Sequence, residues 1–127
     1  MGAVTDDDSA AVWATATIPL GAAMPRGFVL DPSVRAVVGS VDGVPLAHAF
    51  VSVSEAVMGL YAVGTAESAR RRGYGAAITW AAIEAGRRSW GDMPAILQSS
   101  EMGQPVYSKM GFREVCRYAI WYPPKGR

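Results

Sequence analysis

The chain has 127 residues, half of them apolar and 18% charged, enough to bury one packed core and too ordered in composition for a disordered segment. Twelve Lys and Arg against eleven Asp and Glu leave a formal charge of +1, which excludes bulk attraction to nucleic acid or to an anionic membrane, so any anion site must be local. A single cysteine, Cys116, excludes an internal disulfide and a cysteine-built zinc site.

Residues 1–27 form a poorly patterned N-terminal segment. Its acidic run, Asp6 to Asp8, stands where a secretory signal needs basic residues. No apolar stretch reaches the ~18 residues of a membrane span, so a cytoplasmic location is expected. Pro19, Pro25 and the stretch from Gly21 to Met24 leave room for at most a short helical turn. A single domain is expected over residues 28–127, the only alternative being a half-domain completed by dimerisation.

From Phe28 the pattern becomes a series of short β-type runs: Phe28–Leu30, Val34–Val41, Val44–Val53 and Ala56–Val63. Between the second and third, Asp42-Gly43 supplies the two positive φ values of a type I′ hairpin. Val51 and Val53 alternate with Ser52 and Ser54, as in an antiparallel strand with one wet face. The period then changes. Ile78, Ala81, Ala82 and Ala85 fall on one helical stripe, away from Thr79, Glu84, Arg87 and Arg88, and Glu84 and Arg88 stand at the spacing of an ion pair. A helix from about Gly73 to Ser89 follows, ended by Gly91 and Pro94. Ala95–Gln98 reads as a buried strand. Pro105–Met110 reads as a helix with proline in its first turn and Gly111 as its cap. Val115–Tyr122 reads as a last strand holding Cys116 as a packed, inert thiol. Met93, Met102 and Met110 read as fillers of core gaps. The order predicts an α/β (α+β) domain with a mixed, mostly antiparallel sheet.

The informative segment is Arg70-Arg71-Arg72-Gly73-Tyr74-Gly75-Ala76-Ala77, between a strand and the long helix. A helix N-terminus offers backbone N–H groups without internal partners and a partial positive charge. Gly73 and Gly75 allow close approach, and the arginines add charge, so a pyrophosphate suits the loop. The same residues would also serve a tight turn flanked by solvated arginines. A P-loop is excluded because G-x-x-x-x-G-K-S/T is absent, and a dinucleotide fingerprint because Ile78 stands where its third small residue is needed.

At these residues the chain resembles the GNAT superfamily of N-acetyltransferases, whose coenzyme A loop reads Q/R-x-x-G-x-G/A; Arg70, Gly73 and Gly75 match it. Tyr107-Ser108-Lys109-Met110-Gly111-Phe112 resembles the Y-x-K-x-G-F segment expected further along. The likeness spans residues 34–122. It implies acetyl-coenzyme A as cosubstrate, with its pyrophosphate on the backbone of Arg71, Arg72, Gly73, Tyr74, Gly75 and Ala76, and Arg70 opening the loop. It implies that Tyr61, Ala62 and Val63 pair their main chain with the pantetheine like an added strand. The sheet would splay between that strand and Ala95–Gln98, bordered by Ser99, Ser100 and Gln104.

Amine acetylation needs a neutral amine, a donor for the thioester oxyanion and an acid for the thiolate. The resemblance places Tyr107 as that acid; packing beneath Phe112 is the competing reading. A backbone N–H near Tyr61 to Val63 is the oxyanion donor. For the base, Met58–Val63 holds no carboxylate, which leaves His48, Glu55, Glu101 or a chain of waters. His48, the lone histidine, also reads as a structural strand residue. The resemblance further leads one to expect a strand and two helices ahead of the meander, where only residues 1–27 stand. A homodimer lined by Trp121 and Tyr122 is therefore expected. The expected acceptor is a small-molecule or peptide amine, with neither nucleic acid nor membrane as partner and no metal; a non-catalytic acetyl-coenzyme A module is the alternative.

Overall fold

A computed structural model describes residues 2–3 and 26–125. Strand β1 (Gly2–Ala3) is followed by helix α1 (Arg26–Val29), strands β2 (Val34–Val41), β3 (Val44–Ser54) and β4 (Val57–Thr65), and a 3₁₀ turn at Glu67–Ala69. Helix α2 (Tyr74–Trp90), strand β5 (Ala95–Leu97) and helix α3 (Gln104–Lys109) complete the order. The five strands lie in one sheet in chain order. Every neighbouring pair is antiparallel except β4 and β5, which run parallel.

The hairpin expected at Asp42-Gly43 forms as read. Val41 pairs Val44, and φ is 51° at Asp42 and 77° at Gly43, the two left-handed values of a type I′ turn whose twist matches its strands. The apolar stripes of the strands divide by face, because successive side chains point to opposite sides. Val37, Ala47, Ala49, Val51, Met58 and Leu60 meet Ile78, Ala82 and Ile83 of α2 in the main core. On the other face Val34, Ala36, Val38 and Phe50 pack with Val29 of α1. Helix and sheet approach closely at Gly86, where a Cβ would stand 2.9 Å from the Met58 sulfur. The far end of α2 is tied to β2 by Arg35, whose Nε donates to Ser89 Oγ (2.8 Å) and whose guanidinium lies 5.3 Å from the Trp90 ring centre.

Several expectations are corrected. Phe28–Leu30 is not a strand: Phe28 and Val29 close the short helix α1, and the Phe28 ring meets Phe50 edge-on at 5.3 Å. Three residues bounded by glycine and proline carry too little periodicity to separate strand from helical turn. Thr79 is fully buried, so the inner face of α2 runs Ile78, Thr79, Ala82, Ile83, Gly86. Its hydroxyl donates to the Gly75 carbonyl at 2.8 Å, and this bond back to the preceding turn lets a polar side chain enter the core satisfied. Among the described residues the ion pairs are Arg87–Asp92 and Arg117–Glu114, and Glu84–Arg88 is not one of them. Met93 packs against the core, but Met102 is exposed and Met58 is the methionine that fills it.

The largest difference is at the C-terminal end. Residues 112–124 carry neither helix nor strand, Val115, Tyr118, Ile120, Trp121 and Tyr122 are exposed, and the Cys116 thiol is exposed rather than packed. Apolar content marks a segment able to pair, but a strand exists only where an edge receives it. Of the first 27 residues all but 2–3 and 26–27 lie outside the described residues, and with them most of the segment in which at most a short helical turn is expected.

Candidate active site

The site is built where β4 stops being matched by β5. Met58, Gly59 and Leu60 pair with Ala95, Ile96 and Leu97. β4 then continues to Thr65, while β5 ends at Leu97. From Tyr61 onward the main chain of β4 is therefore not paired with β5. Tyr61 turns its ring to the face away from α2, stacked on Phe50 at 5.3 Å, so it offers the opening its backbone rather than its side chain. Val63 leans into the main core.

Ser99 and Ser100 follow the end of β5. Ser100 Oγ accepts from the Gly103 N–H (3.2 Å) and its carbonyl from the Gln104 N–H (3.1 Å). These bonds seat α3 with Gln104 as its first residue and Pro105 in its first turn. Gly111, at φ 100°, ends that turn, as expected.

The 3₁₀ turn lifts the chain from the end of β4 to the loop. Arg70 closes this turn and its Nε donates to the Thr65 carbonyl (3.3 Å), so Arg70 braces the loop against β4. Arg71 (φ 64°) and Gly73 (φ 80°) adopt left-handed backbone, curling the chain into α2 with Gly73 as the residue before its first turn. Among the described residues no side chain caps this helix, and its first turn holds no acidic residue. The backbone N–H groups of Tyr74, Gly75 and Ala76 thus begin a helix whose dipole favours an anion. Arg70, Arg71 and Arg72 are exposed beside them. Chain connectivity places this N-terminus just past the open end of β4.

Tyr107 joins the two parts of the site. Its ring is half-buried against the main core and meets Phe112 edge-on at 5.9 Å. Its hydroxyl is hydrogen-bonded to Thr79 in α2. The Thr79 hydroxyl itself donates to the Gly75 carbonyl. Burial raises the Tyr107 pKa above its ordinary 10.0, with the Thr79 bond acting the other way. The phenol therefore holds its proton at neutral pH, as an acid for a departing thiolate must. Both readings of Tyr107 meet here, since packing under Phe112 leaves its hydroxyl beside the first turns of α2.

The candidate bases separate. Glu55 sits in the turn between β3 and β4, and six residues of strand at ~3.3 Å each put it on the order of 20 Å from Val63. Glu101 is exposed in the turn ahead of α3. His48 is 8% exposed and pairs across strands with Gly64. Its pKa is lowered, first by burial, while a hydrogen bond with the Ala62 main chain opposes the shift. Sequence reasoning weighed His48 only as a base or a structural residue and missed its contact with the main chain of the site. It also missed Thr79. The signal for Thr79 was its place four residues after Gly75; none marked His48. Among the described residues no group of His, Cys, Asp or Glu side chains converges as a metal site.

The architecture is shared with solved acetyltransferases. AAC(6')-Iy in complex with the bisubstrate analogue CoA-S-monomethyl-acetylneamine superimposes with a TM-score of 0.77 at 18% identity, covering 97% of each chain. The GCN5-related N-acetyltransferase of Ralstonia eutropha JMP134 gives 0.69 at 24% identity, over 98% of this chain and 97% of that one. Glucosamine-6-phosphate N-acetyltransferase of Arabidopsis thaliana gives 0.73 at 14% identity, over 95% and 97%. A comparison with curated protein sequences gives no match. The sequence profile described as the acetyltransferase (GNAT) family matches residues 6–112, most of the chain and the whole of the site described above. With the opening beside β4, the helix N-terminus past its end and this match together, the chain belongs to the GNAT family of acetyl-coenzyme A-dependent N-acetyltransferases.

Proposed function

We propose that the chain moves an acetyl group from acetyl-coenzyme A to a primary amine carried by a small molecule or peptide. The observation that carries this reading is the opening beside Tyr61, Ala62 and Val63, which leads to the uncapped N-terminus of α2. The backbone of Arg71 to Ala76 holds the pyrophosphate and Arg70 braces it. The pantetheine lies along Tyr61, Ala62 and Val63 as an added strand. The amine nitrogen bonds to the thioester carbon, the C–S bond breaks, and Tyr107 gives its proton to the leaving sulfur. The fold neighbours include a protein crystallised with an acetylneamine bisubstrate analogue and a glucosamine-6-phosphate N-acetyltransferase, which supports an amino sugar or similar small amine as the first acceptors to try. The exposed free thiol of Cys116 suits a reducing compartment, the cytoplasm.

The test is release of free thiol from acetyl-coenzyme A across a panel of aminoglycosides, polyamines, amino acids and peptides. Acceptor-dependent release is expected. Tight binding of acetyl-coenzyme A with no release across the whole panel would instead identify a binding module.

We also propose a homodimer. Val115, Tyr118, Ile120, Trp121 and Tyr122 expose apolar surface along one segment, and contiguous surface of this kind usually marks an interface. Light scattering should give twice the chain mass, and a monomer across working concentrations would overturn it.

A further inference from the structure

Acetyl transfer as described above uses the main chain of Tyr61 and leaves its side chain without a task. The cross-strand pairs assign that side chain a face. Ala36 pairs with Phe50 and Phe50 with Tyr61, and residues directly opposite each other share a face. Tyr61 therefore stands with Ala36 and Phe50 on the side of the sheet away from α2. Just beyond it β4 and β3 fall out of step: His48 pairs with Gly64, so Ala62 and Val63 together face Ala49, a β-bulge.

The Tyr61 ring is held in place from two directions. On one side it is stacked on Phe50, with 5.3 Å between ring centres and 27° between planes, and Phe50 is in turn met edge-on by Phe28. Beneath it lies Gly59, where a Cβ would stand 2.6 Å from Tyr61 Cε2 and 2.7 Å from its hydroxyl, so only glycine lets the ring lean there. Phe50 belongs to β3. The covered side of the ring thus looks toward β3, and the other side looks toward β5, whose last paired residue is Leu97. Tyr61 is 50% exposed. Ile96 pairs with Gly59, shares this face and is exposed as well.

The opposite face of β4 is closed. The main core with α2 lies there, and Tyr107 and Phe112 pack against the same core. An amine carried on a bulky body therefore reaches an acetyl group beside β4 from the Tyr61 side. What it meets is flat and apolar, and the neighbouring positions Ala36, Phe50, Ser52, Gly59 and Ile96 hold no carboxylate. A polycationic acceptor finds no partner at these positions for its further ammonium groups, whereas a flat ring gains an aromatic contact beyond its buried area.

We propose that Tyr61 determines acceptor specificity: its free face stacks a flat apolar ring carried on a primary monoamine, which makes arylalkylamines the preferred acceptors. This rests on the acetyl-transfer reading given above.

The experiment follows thiol release from acetyl-coenzyme A by the full chain with three acceptors: 2-phenylethylamine, hexylamine as an apolar amine without a flat face, and spermidine as a polycation. The wild type is expected to favour 2-phenylethylamine in kcat/KM over each of the others by roughly three- to tenfold, the worth of an aromatic pair beyond burial. Tyr61→Phe, which keeps the ring, should retain that preference. Tyr61→Leu, which keeps the main chain and an apolar side chain, should bring the ratio of 2-phenylethylamine to hexylamine close to one, through a higher KM for 2-phenylethylamine. A side chain that served packing alone would lower all three rates together and leave the ratios unchanged. A wild type that uses hexylamine or spermidine as well as 2-phenylethylamine overturns the platform whether or not the variants fold, and so does a folded Tyr61→Leu that keeps the preference. A wild type that releases no thiol with any amine, or binds no acetyl-coenzyme A, overturns the acetyl-transfer reading and the platform with it.

Discussion

Gly75→Asp is expected to abolish acetyl-coenzyme A binding in a chain that folds as well as the wild type. Gly75 is the second residue of α2, and a Cβ there meets nothing within 4 Å. Its φ is not positive, so a side chain adds no backbone strain. Replacing glycine removes the entropy cost of ordering it in a helix, roughly 0.5–1 kcal/mol. A carboxylate in a first turn that holds no acid interacts with the helix dipole favourably by about 0.3–1 kcal/mol. The Thr79 bond to Gly75 uses the main-chain carbonyl and survives the change. The unliganded melting temperature should therefore hold or rise.

The ligand meets the opposite effect. The new carboxylate sits among the N–H groups proposed for the pyrophosphate, and two like charges about 4 Å apart repel by ~4 kcal/mol at an effective dielectric of 20. Affinity should fall on the order of a hundredfold or more. Wild type should show a melting temperature that climbs with acetyl-coenzyme A by mass action, and Gly75→Ala should keep that climb. The aspartate variant should stay flat. An aspartate variant that remains folded and binds with unchanged affinity would move the pyrophosphate off this loop.

Tyr107→Phe should lower turnover at least about tenfold, below even the usual worth of a positioned general acid, with the affinity for acetyl-coenzyme A unchanged. The phenyl ring keeps the edge-on contact with Phe112 and the packing against the core. Thr79 still donates to the Gly75 carbonyl, so removing the hydroxyl strands no buried donor, and the stability cost should be about 1 kcal/mol, that of one hydrogen bond. A residue that served packing alone would show that small cost and no loss of rate. A loss confined to kcat reports an interaction made in the transition state. The pH dependence has a definite sign. Turnover needs the protonated phenol and falls as pH rises through its pKa, which burial places above 10.0. The wild-type rate should thus show no loss assignable to Tyr107 below that pH. Equal rates for the two proteins, measured with the best acceptor of the panel, would remove Tyr107 from the mechanism.

Wherever a local rule decides, the sequence alone was sufficient. Asp42-Gly43 names a hairpin because few dipeptides take two positive φ values, and β2, β3, β4, α2 and α3 lie within a residue or two of the runs that announced them. The loop from Arg70 to Ala76 and the segment from Tyr107 to Phe112 were legible because their spacing matches a family pattern, and each joins an element end in the structure. What the sequence left open depends on which surfaces meet. Thr79 reads as outward by its chemistry and is buried because its hydroxyl finds a carbonyl one turn back. The run from Val115 to Tyr122 reads as a strand and is not one, since pairing needs an edge that no pattern within the run can specify. His48 is the clearest case. A lone histidine in a strand carries no motif, and only the register slip that sets Ala62 and Val63 against Ala49 brings its ring to the main chain of the site. Periodicity and motifs are properties of neighbours along the chain; the bulge, the opening past Leu60 and the contact between Tyr107 and Thr79 are properties of segments brought together by the burial of a shared core.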